Sequence, residues 1–162
     1  MIVRDATEID LPGILAIYND VIARSTAVWT EEPSTLDDRR NWLSARKASG
    51  YPVLVAASGS AILGFASFGD FRAWPGYRHT VEHSIHVRSE DRRHGVGSAL
   101  LPQLLERARA LDKHVLLAGI DGENEASIAF HRRFGFTDAG RLREVGRKFG
   151  RWIDLVFLQL AL

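Results

Sequence analysis

Residues 82–111 constrain this chain more than any other stretch. Glu82-His83-Ser84-Ile85-His86-Val87 reads as a strand and Arg88 to Asp91 as a short loop. Arg92-Arg93-His94-Gly95-Val96-Gly97-Ser98 is a glycine-containing turn, and it opens an apolar helical pattern that runs to Leu111. Glycine at 95 and 97 removes side chains that would hold a ligand off the backbone. The amides of Arg93 to Ser98 then point out of a helix N-terminus, where partial positive charge accumulates. A phosphate or pyrophosphate suits such a place. Two nucleotide motifs are excluded: G-x-x-x-x-G-K-[ST] occurs nowhere, and Arg92-x-x-Gly95-x-Gly97 is not G-x-G-x-x-G. The alternative for the same residues is an ordinary helix start that holds two glycines.

Composition bounds the rest. A length of 162 residues implies one domain, 1–162, with one sizeable core. Hydrophobic residues make up 46% and charged residues 25%, as in soluble globular chains. A net charge of +1 is too balanced for a nucleic-acid binder. The cluster Arg141, Arg143, Arg147, Lys148 and Arg151 reads as a solvated face. With no cysteine there is no disulfide, thiolate metal site or covalent thiol chemistry. The N-terminus has no signal-peptide core and no apolar run reaches membrane-spanning length, so a cytoplasmic protein without a membrane partner is expected.

In order, Ile2 to Arg4 reads as a strand. Asp10 caps a helix with Pro12 in its first turn and Leu11, Ile14, Leu15, Tyr18, Val21 and Ile22 at helical spacing. Ala27 to Thr30 is irregular. Ser34 or Thr35 caps a second helix, with Leu36, Trp42 and Leu43 inward and Gly50 ending it. Tyr51 to Ala57 is an apolar run, hence a strand covered on both faces. Ser58-Gly59-Ser60 turns it back into a strand from Ala61 to Phe68. An aromatic and arginine loop, Phe71 to Arg78, precedes the strand Thr80 to Val87. The helix after Gly97 buries Leu100, Leu101, Leu104, Leu105 and Ala108, and Pro102 should kink it. Val115 to Ile120 is a strand. Asn124 opens a helix with Ala126, Ala129, Phe130 and Phe134 inward and Gly135 as its left-handed cap. Phe136 to Val145 and Trp152 to Leu160 are two strands joined by a turn from Gly146 to Arg151. A mixed sheet with helices on both faces, an α/β arrangement, fits this order.

Arg92-x-x-Gly95-x-Gly97 matches [QR]-x-x-G-x-[GA], and Asn124-x-x-Ser127-x-x-Phe130-His131-x-x-x-Gly135-Phe136 matches N-x-x-[AS]-x-x-[LF]-[YH]-x-x-x-G-F. In both the chain resembles the GNAT superfamily of acyl-CoA-dependent N-acetyltransferases, over essentially its whole length. Phe68 to Arg72, Arg78 to Ser84 and Val145 to Asp154 further resemble the phosphinothricin acetyltransferase branch, including bacterial enzymes acting on methionine sulfoximine and methionine sulfone. The resemblance implies a mostly antiparallel mixed sheet of about seven strands, acetyl-CoA as co-substrate with no metal, and a homodimer.

It also assigns roles. Glu82 is the expected base, since N-acetylation needs a neutral amine; the alternative is a solvent-facing glutamate. Ile85, His86 and Val87 would line the pantetheine arm on a strand that splays from its neighbour, with the Val87 N–H facing the thioester oxygen; plain sheet pairing is the alternative. Arg92, Arg93, His94, Gly95, Val96, Gly97 and Ser98 would hold the pyrophosphate. Asn124 is a helix cap, a coenzyme A contact, or both, and Ser127 a capping-turn residue or a second contact. His131 stands where a tyrosine often protonates the leaving thiolate. Arg72 and Arg78 are candidates to clamp a substrate carboxylate, with Trp29, Phe71, Trp74 and Tyr77 walling a side-chain pocket. His79, His83 and His86 do not make a metal site, because His86 points away from the other two. His94 and His114 read as structural.

The expected reaction is acetyl transfer to the α-amine of a small L-amino acid or analogue, by direct attack in a ternary complex. Competing readings are another amine acceptor, either a protein N-terminus or an aminoglycoside, and a coenzyme A-binding module without chemistry.

Overall fold

Local signals set the helices and a two-sided apolar pattern sets the sheet. The computed structural model describes all 162 residues. Its strands are β1 (Ile2–Asp5), β2 (Val53–Ser58), β3 (Ala61–Asp70), β4 (Thr80–Val87), β5 (Val115–Asp121), β6 (Thr137–Lys148) and β7 (Arg151–Ala161). Its helices are α1 (Leu11–Arg24), α2 (Leu36–Ala48), α3 (Val96–Ala110) and α4 (Glu125–Arg133). The seven strands form one sheet in the order β1-β2-β3-β4-β5-β7-β6. Every neighbouring pair is antiparallel except β4 with β5. No helix is long and apolar enough to cross a membrane.

The core lies in two layers. On one face α1 and α2 bring Leu11, Ile14, Ile17 and Leu43 against Val53, Val55 and Phe65. On the other, Leu100, Leu101, Leu104 and Ala108 of α3 pack on Leu54, Ala66, Phe68, Val81, Leu116 and Leu158. Successive residues of β2 enter opposite layers, which is why its sequence is apolar throughout. Thr35 accepts from the Asp38 N–H while the Asp38 carboxylate accepts from the Thr35 N–H, a capping box that fixes the start of α2.

Several expectations shift. On α1 it is Ile17 that is buried, with Leu15 and Tyr18 half-buried. Leu36 is exposed, because it sits at the first position of α2 before the helix meets the sheet. Ala126 and Ala129 face solvent, and α4 packs instead through His131, Ile128, Phe130 and Phe134. The last hairpin is longer than expected: β6 runs to Lys148 and the turn is only Phe149-Gly150. Glycine at 146 and charge at 147 and 148 suggest a turn locally, but cross-strand pairing from Gly146↔Ile153 to Lys148↔Arg151 overrides them. Lys148 is not part of a solvated face; it is 1% exposed.

Helix α3 passes through Pro102 without a break. The ring lies on the exposed side, between the buried Leu101 and Leu104. Proline leaves the Ser98 carbonyl without its i+4 donor, and nothing buried depends on the ring. Pro102→Ala restores that bond and should raise stability by about 1–3 kcal/mol. Urea unfolding followed by circular dichroism measures it; an unchanged or lower midpoint would mean that α3 packs best in the shape the proline imposes.

Candidate active site

The sheet opens where β4 and β5 meet. They pair over four positions only, from Thr80↔Val115 to His83↔Ala118. Beyond His83, β4 stays with β3 as far as Val87↔Gly64. Beyond Ala118, β5 stays with β7 as far as Asp121↔Leu155. A wedge therefore opens between two strands that are each held on their far side. The Arg88 N–H donates to Leu63 at 2.8 Å. Hydrogen-bonded pairs alternate along an antiparallel ladder, so Val87 takes the other position and its N–H turns from β3 into the wedge. Plain sheet pairing is thereby excluded for that amide.

Two cavities occupy the wedge, one of about 340 Å³ and one of about 590 Å³. They share Ala27, Ile85, His86, Asn124 and Ser127, so they form one passage. The larger runs along Ile85, His86 and Val87 to the glycine turn, where Arg92, Arg93, Gly95, Val96, Gly97 and Ser98 line it. Arg93 and Gly95 are both left-handed, with φ of 66° and 82°. Gly95 is the N-cap of α3, and this conformation is what requires glycine there. Gly97 has a different reason: a Cβ would press on the Phe130 ring at 3.3 Å and reach Ile85 at 3.8 Å. Its smallness lets α4 close on α3 as well as clearing the groove. Amides in this turn, two exposed guanidinium groups and the positive end of a 15-residue helix make a donor set suited to a pyrophosphate. Asp91 also lines the groove, and Arg88 pairs with it. His94 is exposed and outside the lining. Asn124 Oδ1 accepts from the Ser127 N–H at 3.1 Å. The cap uses its carbonyl and leaves its amide donors to the passage, so the two readings of Asn124 are compatible.

The smaller cavity holds Glu82. Its Oε1 lies 2.6 Å from where a Cβ on residue 119 would stand, so Gly119 provides its room, beside Leu155. Burial raises its pKa above the ordinary carboxylate value. Three histidines surround the strand and all are nearly inaccessible. His86 packs on Tyr18 and Phe65, and burial lowers its pKa to about 4. His83 lies on the opposite face and burial lowers its pKa to about 3. His131 Nδ1 donates to the Ser127 carbonyl at 2.7 Å. Its Nε2 therefore carries the lone pair, and accepts from His83 Nε2 at 3.1 Å. That assignment leaves His83 Nδ1 as a buried acceptor without a partner. Burial lowers the pKa of His131 too. His131 lines the smaller cavity with both ring nitrogens engaged.

The substrate residues divide. Trp29 lines the smaller cavity. Phe71, Arg72, Trp74, Tyr77 and Arg78 do not; Trp74 is 75% exposed. Phe71 nevertheless packs edge-on against Phe157, and Arg72 lies over Phe71 and Tyr77. Phe157 pairs with Gly119 across the sheet, so the loop stands beside the cavity rather than in it. Arg78 turns back to the Pro75 carbonyl. Missed in the sequence were Ala27, Gly119, Asp121 and Leu155. Gly119 carried a signal, since a glycine inside a strand marks a close approach.

Residues 3–157 match the family described as Acetyltransferase (GNAT) domain. A Pseudomonas aeruginosa protein named L-methionine sulfoximine/L-methionine sulfone acetyltransferase is 52% identical over 161 residues, 99% of this chain and 94% of that one. A Brucella melitensis crystal structure described as a ribosomal-protein-alanine N-acetyltransferase matches with a TM-score of 0.98 and 48% identity over 100% of both chains. The phosphinothricin acetyltransferase of Sinorhizobium meliloti, in complex with AcCoA, matches with a TM-score of 0.95 and 36% identity, over 99% of this chain and 88% of that one. Family, fold and wedge agree: the chain belongs to the GNAT acetyltransferases and is an N-acetyltransferase.

Proposed function

We propose that this enzyme transfers the acetyl group of acetyl-CoA to the α-amine of a small L-amino acid or analogue of the methionine sulfone, methionine sulfoximine or phosphinothricin type. The observation that carries this reading is Glu82. It is a half-buried carboxylate with a raised pKa, in a cavity continuous with a groove suited to an anion. A cavity of about 340 Å³ suits a small acceptor, and the names of the similar proteins point to the same acceptors.

The groove from Ile85 to Ser98, with Asn124 and Ser127, holds coenzyme A, which brings the activated acetyl group. Glu82 takes the proton that the acceptor ammonium must lose. Burial favours this, because it brings the carboxylate's proton affinity closer to that of the amine. The Val87 N–H faces the wedge and donates to the carbonyl oxygen as negative charge develops there. Trp29 walls the acceptor side. Arg72 or Arg78, on the exposed loop, binds the acceptor carboxylate. The reading includes a homodimer and a cytoplasmic site of action. Leu142, Val145, Phe149 and Trp152 are each at least 44% exposed near the tip of the β6–β7 hairpin, an apolar area suited to a second copy.

Glu82→Gln should lower kcat about 100- to 10,000-fold with acetyl-CoA affinity nearly unchanged. The wild-type kcat should rise with pH through the raised pKa of Glu82, and the variant should lose that limb and recover partly at high pH, where more amine is already neutral. A variant with near-wild-type kcat at saturating amine would assign Glu82 to orienting the ammonium group instead. L-Methionine sulfone should be acetylated far better than the matching decarboxylated amine, and equal kcat/KM for the two would exclude the carboxylate clamp. Light scattering at micromolar concentration should return twice the 18.1 kDa chain mass; a monomer there contradicts the assembly.

A further inference from the structure

The most completely buried cation lies on the last hairpin, outside both cavities. Lys148 is 1% exposed, its ammonium is hydrogen-bonded to carbonyls alone, and the Phe149 ring lies 4.8 Å from it. It donates to Ile22 at 2.6 Å, Ser25 at 2.6 Å and Val28 at 2.7 Å, which uses all three of its N–H groups. Ile22 is in the last turn of α1, where carbonyls lack intrahelical donors and carry partial negative charge. Ser25 and Val28 belong to the irregular segment that follows. That segment has no ladder of its own, so its backbone groups need partners from elsewhere.

The same segment is the wall of the passage. Ala27 lines both cavities, Ser25 the larger and Trp29 the smaller. Two further contacts fasten it. Thr26 donates its hydroxyl to Asp121 at the end of β5, and Trp29 Nε1 donates to the Thr26 carbonyl at 2.8 Å. The Trp29 ring also lies against Gly146, where a Cβ would overlap it. Gly146 and Lys148 are two apart on β6 and share a face. The hairpin thus presses on the wall at 146 and pulls on it at 148.

We propose that Lys148 is a positioning residue for the acceptor: it sets the place of the Ser25–Trp29 wall, and so the width of the acceptor cavity, while touching neither substrate. The inference rests on the proposed reading of the smaller cavity as the acceptor pocket. A buried charge is costly, and an apolar side chain of like length would fill the same space. Such a side chain would not gather three carbonyls from a segment without secondary structure.

Lys148→Met keeps the length and removes the donors. Steady-state kinetics with L-methionine sulfone should show the amine KM rising about tenfold to a hundredfold. The kcat at saturating amine should stay within about threefold, because Glu82 sits on β4 and not on the wall. Gly146→Ala displaces the Trp29 ring without touching Lys148 and should move the amine KM the same way. Because both act on one wall, the double variant should fall short of the product of the single effects. A Lys148→Met enzyme with unchanged amine KM and reduced kcat overturns the proposal, as do single effects that multiply fully. Should Lys148→Met fail to fold, Gly146→Ala decides alone, and an unchanged amine KM there overturns it. Trp29→Ala tells the two readings apart. If it leaves the amine KM unchanged, the cavity is not the acceptor pocket. If it raises KM while Lys148→Met and Gly146→Ala do not, only the positioning role is lost.

Discussion

The parting of β4 from β5 is the constraint on which the site depends. Two parallel strands that continued side by side would consume the amides that this site leaves open. Each strand can afford to separate because its other edge is fully paired, β4 with β3 and β5 with β7. Three features hold the wedge apart. Glu82 occupies the space above Gly119. Helix α4 follows β5 directly, and Asn124 caps it at the mouth. The hydrogen bond from His83 to His131 ties β4 to α4 at the base.

The same region keeps its charges sparse. His83, His86 and His131 are all driven toward the neutral form by burial. Glu82 is raised for the same reason, with no cationic partner to pull it back. An arginine or a protonated histidine at its side would turn it into a salt bridge and lower its pKa. Neutral neighbours leave it a stronger base. The cations Arg92 and Arg93 stand elsewhere, at the exposed glycine turn that lines the larger cavity.

Much of this was legible in one dimension. The limits of β4, the Asn124 cap and the left-handed Gly135 follow from alternation and capping rules, which are local. What escaped was decided by partners distant in sequence. Lys148 sits among arginines that are exposed, and nothing local sets it apart from them. Its burial comes from carbonyls more than a hundred residues away. Ala126 and Ala129 fit an apolar helical stripe, yet α4 rotates to bury His131 because His83 and Phe136 form its docking site. Of the aromatics expected to wall a pocket, Trp29 lines the smaller cavity and packs on Gly146, while the loop from Phe71 to Arg78 stands beside it.

His131 bears on how the thiolate is neutralised. In the proposed reaction the acceptor arrives as an ammonium and ends as a secondary amide, so its nitrogen gives up two protons. The departing thiolate needs one. A dedicated acid is required only if neither proton can reach the sulfur. Both are released beside Glu82: the carboxylate can accept the first and return it to solvent, while the second passes to the sulfur as the amide forms. A side chain that must hold a proton in reserve would need a pKa near or above neutrality. His131 is pushed the other way and spends both nitrogens on Ser127 and His83. Those two contacts hold α4 against β4. In the proposed reaction one substrate proton then leaves through Glu82 to solvent and the other neutralises the sulfur.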